Sequence, residues 1–381
     1  MLLKGIKFNK QELSGAFGDI GTDLPLIIAM ILAAGLYAPG VLIVFGLMQI
    51  FTGLVYKMPM PVQPLKAMAT LVISQQISGN VLFGAGLAIG LVMLILSLSG
   101  TLDKISKFIP KTVIRGLQLG LGLSLCLLAF KKYVNSDGFS GYIIAFLSFL
   151  LIITLIQNKK IPASLIVILI GFIYAILFNV KIDTIINSFG FNLPEFTIPT
   201  IEDIAKGFVL LALPQIPLSL GNSIFATKQV ADDLFPQRND ITIKKIGITY
   251  SIMNLVTPFL GGIPSCHGSG GMVGHYTFGG RTGGSVVIYG LLYIVLGVFF
   301  GSNIEPVIKV FPLPVLGVIL LFEGLALMSL MKDQIDNKKN LIIVLMVGII
   351  SAGLPYGFVI SMVLGTILYY LPFKLKLIED F

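Results

Sequence analysis

The stretch Met58–Thr70, MPMPVQPLKAMAT, has a counterpart in Gly261–Gly274, GGIPSCHGSGGMVG, about 203 residues further along. Both are short and broken by proline or glycine, in a chain whose other apolar runs are long. Backbone that leaves the helix at membrane depth survives only where protein or a watery cavity satisfies its polar groups. Two such segments at matching places in the two halves of one chain mark a transporter's central site.

The composition agrees. Of 381 residues, 56% are apolar and 12% charged, and the mean hydropathy is +0.96. A soluble core does not need so little charge. Apolar runs near 14–35, 40–56, 59–78, 81–99, 110–130, 141–157 and 161–180 precede a second set near 203–227, 242–260, 263–278, 284–301, 311–331, 341–353 and 355–372. At roughly 20 residues per span, the chain reads as an all-α polytopic membrane protein of about fourteen segments, several short or broken. The strand-like alternation of a barrel is absent, and no cleavable signal precedes the first run. Cys126 and Cys266 lie inside apolar segments, so no disulfide is expected.

The net charge of +8 does not point to nucleic acid, because the basic residues lie between spans. With fourteen crossings and both termini cytoplasmic, 20 of the 26 Lys and Arg fall on the inner side and five (Lys131, Lys132, Lys181, Lys206, Lys309) on the outer. Lys66 lies within a span. The bias follows the positive-inside rule.

The halves repeat. Ile109–Leu125 aligns with Phe311–Leu327 at an offset of 202, bringing Pro110 onto Pro312, Val113 onto Val315 and Gly122 onto Gly324. Pro61 falls on Pro264 at nearly the same offset. Seven spans per half is an odd number, so the second half enters from the opposite face, giving a 7+7 inverted repeat. Residues 1–180 form the first repeat, 181–200 an extracellular linker and 201–381 the second.

Pro61 and Pro64 forbid a regular helix before Leu65, so a helix is expected over Leu65–Gln75. An extended approach through Ile263–Ser265 leads to a second helix beginning around Cys266–Gly271. Two half-helices then present their N-termini to a shared point, each with about half a positive charge and free N–H groups. Together they offer about +1, and Lys66 raises this to about +2, suiting a doubly charged oxyanion. Gly268, Gly270 and Gly271 would let a ligand approach the backbone or would serve helix packing. Gln63, Ser265 and Ser269 supply hydrogen bonds.

Lys66 either touches the ligand or neutralises Asp19, the acid of the first span. Neither catalysis nor a metal is expected at Cys266 and His267, since no third ligand or base is suitably spaced. Gln215, Ser219, Asn222 and Ser223 share one helical face and should face protein or a cavity. Asp23 reads as a helix-end cap near the surface, His275 as a boundary residue, and Glu323 as a further membrane acid. Gly279–Ser285, GGRTGGS, lacks the ending of a phosphate loop and reads as a short cytoplasmic turn.

At FGDIGTDLP (17–25), PMPVQPLKAMA (59–69), PQIPLSLGNS (214–223) and GGIPSCHGSGG (261–271) the chain resembles the molybdate transporter family, related to the sulfate permeases. The resemblance covers nearly the whole chain. It implies the fold shared with sulfate permeases and nucleobase symporters, with spans 1–4 and 8–11 as a core domain and 5–7 and 12–14 as a gate domain. By position it places Gln63, Pro64, Lys66, Gln215, Asn222 and the segment Ser265, Cys266, His267, Gly268, Ser269, Gly270 and Gly271 in the substrate region, with Asp19 and Glu323 in coupling or structural roles. Sulfate permeases usually append a soluble regulatory domain, and this chain ends about ten residues past its last span, which favours the molybdate branch. Nucleobase symporters carry glutamates on the spans matching 205–227 and the second half-helix; an anion site should lack them, and those stretches do.

The expectation is a secondary carrier of molybdate, with tungstate or sulfate as related substrates, in the cell (inner) membrane, without cofactor or enzymatic activity. A sulfate carrier, a nucleobase symporter and an anion channel are the alternatives, and a homodimer is left open.

Overall fold

The computed structural model describes residues 5–155, 163–179, 183, 186, 189–300, 312–354 and 357–371. Part of the 181–200 linker, the basic residues Lys4, Lys159, Lys160, Lys309, Lys374 and Lys376, and Phe311 of the repeat match lie outside them.

The first half runs α1 (Lys10–Ala16), α2 (Ile20–Ala34), α3 (Ala38–Tyr56), β1 (Val62–Pro64), α4 (Lys66–Gln75), α5 (Gly79–Leu98), α6 (Thr101–Phe108), α7 (Lys111–Leu128), α8 (Gly138–Leu155) and α9 (Ala163–Tyr174). The second runs α10 (Ile201–Gly207), α11 (Leu213–Leu218), α12 (Thr227–Leu234), α13 (Ile243–Val256), β2 (Ser265–His267), α14 (Ser269–Thr277), α15 (Gly284–Phe300), α16 (Leu313–Ser329), α17 (Lys338–Gly353) and α18 (Gly357–Tyr370). A π-helical segment, Ser219–Ala226, joins α11 to α12.

Local chemistry sets the boundaries. Asn9 caps α1 through its side chain, Gly35 ends α2 in the left-handed region, and Thr200 opens α10 with a capping box closed by Asp203. Among the described residues six helices are long and apolar enough to cross a membrane, seven if a pair bent by 53° at Ile216–Ser219 is one span. The chain is a helical membrane protein. Side chains such as Leu32, Ile95, Phe146 and Ile349 stand exposed on its flanks, where hydrocarbon is their natural solvent.

The two broken segments are the chain's only sheet among the described residues. β1 and β2 pair antiparallel, Val62 with His267, Gln63 with Cys266 and Pro64 with Ser265. Just outside the pairs, Leu65 N donates to Pro264 O (3.2 Å) and Gly268 N to Pro61 O (3.3 Å). A shift of 203 residues exchanges the partners of each bond, the spacing the proline match anticipates. Half-helices α4 and α14 start where this ladder ends, at Lys66 and Ser269.

Candidate functional site

Four interruptions of helix converge around the ladder: the break between α1 and α2 at Phe17–Asp19, the starts of α4 and α14, and the bend between α11 and α12. Each frees backbone groups, and the side chains that answer them define the site.

At α4 the answer comes from the second half. Gln215 Oε1 accepts from Ala67 N (2.9 Å) and Met68 N (3.2 Å), and its Nε2 donates to Ser219 Oγ (3.1 Å), which meets Tyr250 OH at 2.8 Å. The polar stripe 215, 219, 222, 223 is buried, as its spacing predicts.

At α14 the protein supplies less. Ser269 Oγ donates to Asn222 Oδ1 (2.9 Å), and Gly268 N is held by Pro61 O. The next N–H groups, of Ser269, Gly270 and Gly271, lie ahead of the helix's own bonding and have no acceptor among the described residues. All three residues are buried. A buried helix start with free donors attracts an anion.

Two carboxylates flank that turn, Asp19 at the start of α2 and Glu323 on α16, the two acids to which the resemblance gave coupling or structural roles. Gln63 Nε2 donates to both oxygens of Asp19 (2.7 and 2.9 Å), and Thr22 Oγ1 donates to Glu323 Oε2 (3.1 Å). The glycines make room for these groups. A Cβ on Gly270 would lie 2.5 Å from Glu323 Oε1, one on Gly271 would strike Asp19 Oδ2, and one on Gly268 would strike Gln63. Their Cβ faces therefore pack against protein. The opening toward a ligand lies with the N–H groups.

Other expectations change. Asp23 is not a surface cap: it is fully buried inside α2 and accepts from Tyr289 OH (3.2 Å). His275 is not a boundary residue but lies buried on α14, edge-on to Tyr289. Ser265 and His267 serve the ladder's far side, Ser265 through Asn254 and His267 through Thr249 Oγ1 (2.7 Å from Nε2). Cys266 faces Gln63 across the pair, and Pro64 contributes backbone. The structure thus brings Asp19, Gln63, Asn222, Ser269, Gly270, Gly271 and Glu323 together at α14, and Lys66 with Gln215 at α4.

Over residues 11–125 and 207–327 the chain matches the family described as molybdate transporter of the MFS superfamily, and both broken segments fall inside the matched blocks. The chain belongs to this molybdate transporter family. Molybdate transporter 2 of Arabidopsis thaliana is 31% identical to it, covering 97% of this chain and 88% of its own length. Molybdate transporter 1 of the same plant is 30% identical, over 94% and 87%. A putative sulfate transporter of Bacillus subtilis, YbaR, is 23% identical over 78% and 63%. The fold resembles the transmembrane domain of the cyanobacterial bicarbonate transporter BicA, with a TM-score of 0.54 and 18% identity over 94% of this chain and 96% of that one. Murine Slc26a9 in its inward-facing state gives 0.58 at 13% identity, over 95% and 68%.

Sequence reasoning missed three arrangements in this family member. Gln49 and Asn254, polar residues in apolar spans, clamp the broken segments; their spacing of 205, close to that of the repeat, was the available signal. Glu12 accepts from the N–H groups of Arg281 (3.1 Å), Thr282 (2.9 Å) and Ser285 (3.0 Å), filling the turn at GGRTGGS with a carboxylate. Arg115, 3% exposed, binds Asp233 through Nη1 (2.5 Å) and Nη2 (2.9 Å) and Asp333 through Nη2 (2.7 Å).

The last cluster ties α7, the end of α12 and the segment after α16 together at one end of the molecule. There Gln334, beside Asp333, accepts from Asn340 in the first turn of α17 (3.2 Å). At the other end of α17, roughly 24 Å away for a helix of 16 residues, a cavity of about 410 Å³ is lined by Lys66, Ala67, Leu71, Pro214, Ser351 and Phe358. The ion pairs and the cavity at Lys66 thus lie toward opposite ends of α17.

Proposed function

We propose that this chain is a secondary carrier of a tetrahedral oxyanion, molybdate first, binding the anion at the first turn of α14 and moving it by alternating access. The observation that carries the reading is the set of buried N–H groups of Ser269, Gly270 and Gly271 without acceptors among the described residues, beside the Ser269–Asn222 bond. Such donors select negative charge and hydrogen-bond acceptors. Membership of a molybdate transporter family supports molybdate. Likeness to a putative sulfate transporter favours sulfate as the second reading, since both are tetrahedral dianions.

The helical segments are read as fourteen spans in a 7+7 inverted repeat, residues 1–180 and 201–381 related by a half-turn in the membrane plane. The ladder's register, self-consistent under a 203-residue shift, supports this. Core spans 1–4 and 8–11 would move against gate spans 5–7 and 12–14, opening the cavity at Lys66 and the Arg115 end in turn. The distribution of Lys and Arg supports cytoplasmic termini in the cell membrane.

The test is uptake of labelled molybdate by the purified chain in proteoliposomes, with competitors. Tungstate should compete strongly and uracil not at all. Uracil competition would overturn the anion reading. Sulfate uptake untouched by excess molybdate would move the assignment to sulfate.

A further inference from the structure

Three buried acids sit near the α14 turn, and their oxygens are not equally occupied. Both oxygens of Asp19 are held by Gln63, and Asp23 Oδ2 by Tyr289. Glu323 has one oxygen on Thr22, and its other, Oε1, has no partner among the described residues although the residue is fully buried. That oxygen stands against Gly270, in the turn whose N–H groups are free. Asp23 Oδ1 also has no hydrogen-bond partner among the described residues, but its residue is oriented by Tyr289 on α15.

A helix start favours one negative charge beside it. An ionised Glu323 meets that preference when no anion is bound. A dianion at the same turn places like charges together in a buried site, where repulsion is poorly screened. A protonated Glu323 removes the repulsion and turns Oε1 into an O–H that can donate to the anion. The titratable groups that act on Glu323 set its balance: Asp19 at the start of α2, Asp23 within α2, Lys66 from α4 and Cys126 from α7, with Thr22 donating to Oε2. Lys66 is the cation among them.

We propose that Glu323 takes up one proton as the oxyanion binds and releases it as the anion leaves, making the carrier a proton–oxyanion symporter. The proton enters from the same aqueous side as the anion, adds to the Glu323 carboxylate, and departs with the anion on the other side. With a dianion, one net negative charge crosses per cycle. This rests on the oxyanion site proposed above.

The experiment uses the full chain in proteoliposomes, membrane potential clamped with potassium and valinomycin, a pH dye inside and labelled molybdate outside. Molybdate entry should acidify the lumen with one proton per anion, and an inward proton gradient should drive accumulation. In Glu323→Gln the proton-to-molybdate ratio should fall to near zero and gradient-driven accumulation should vanish, while molybdate counterflow stays measurable. Glu323→Asp should keep the coupling. Molybdate flux without protons in the wild type, or an unchanged ratio in Glu323→Gln, overturns the inference and leaves the oxyanion site standing. If Glu323→Gln does not fold, the wild-type ratio and Glu323→Asp decide. A folded wild type that moves neither molybdate nor sulfate overturns the oxyanion reading, and this inference with it.

Discussion

Gln49 and Asn254 do the same work in opposite halves of the chain. Gln49 donates to Val62 O (2.7 Å) and accepts from Val62 N (2.8 Å); Asn254 donates to Ser265 O (2.7 Å) and accepts from Ser265 N (3.0 Å). Val62 and Ser265 are themselves 203 residues apart. An extended segment inside a bilayer lacks the hydrogen bonds a helix would make for itself, and these two amides supply them from neighbouring spans.

Replacing either amide by leucine leaves an N–H and a C=O buried without partners. At about 1–3 kcal/mol per group, Gln49→Leu or Asn254→Leu should each cost about 2–6 kcal/mol. Thermal unfolding in detergent measures it. A midpoint unchanged from the wild type would mean that the ladder holds the segments unaided.

The ion cluster makes a second prediction. Arg115→Ala removes the partner that Asp233 and Asp333 share, leaving Lys111 on Asp333 (2.8 Å), and should destabilise by about 1–3 kcal/mol. Adding Asp233→Asn and Asp333→Asn should recover part of the loss. Equal unfolding temperatures in the wild type and Arg115→Ala would contradict a role for the cluster in tying that end together.

Much of this was legible in the sequence. Pro61, Pro64 and Pro264 cannot continue a helix, so the breaks and the helix starts expected at Leu65 and around Cys266–Gly271 followed from covalent chemistry. The stripe from Gln215 to Ser223 followed from helical spacing. What spacing cannot report is which distant side chain fills a given space. The glycines at 268, 270 and 271 could be read as ligand space or as packing, because sequence shows a missing Cβ and not the Gln63, Glu323 and Asp19 that occupy its place. Asp23 looked like a cap because its partner, Tyr289, is 266 residues away.

Those glycines give a third prediction. Gly270→Ala and Gly271→Ala each push a methyl into a buried carboxylate, and should cost about 1–3 kcal/mol together with most oxyanion uptake. Gly270→Glu, a natural charge test on sequence grounds alone, would collide with Glu323 first. Full uptake by Gly271→Ala would show that the turn tolerates displacement of Asp19.

A fourth prediction concerns pH, outside the membrane spans. Asp240 accepts from Arg238 Nε (2.7 Å) and Nη2 (2.9 Å) and from Lys245 Nζ (3.2 Å). The Arg238 hydrogen bonds hold its carboxyl well below the usual carboxylate range, against the opposing effect of burial and with help from Lys245. A carboxyl lowered on folding stabilises above its unfolded value of about 3.9 and loses that contribution as pH falls through its folded value. The wild type should therefore unfold at a higher temperature than Asp240→Asn at pH 7. The gap should narrow as the pH drops below about 4. A gap independent of pH would rule out the charge as its source.

The most direct test of the central claim is the position of a bound heavy oxyanion. Tungstate has molybdate's charge and shape, and its tungsten scatters anomalously. In crystals of the chain grown with tungstate, the anomalous peak should lie within hydrogen-bonding reach of the N–H groups of Ser269, Gly270 and Gly271, close to Asn222 and Glu323. A single strong peak elsewhere, with the first turn of α14 unaltered, would contradict the account.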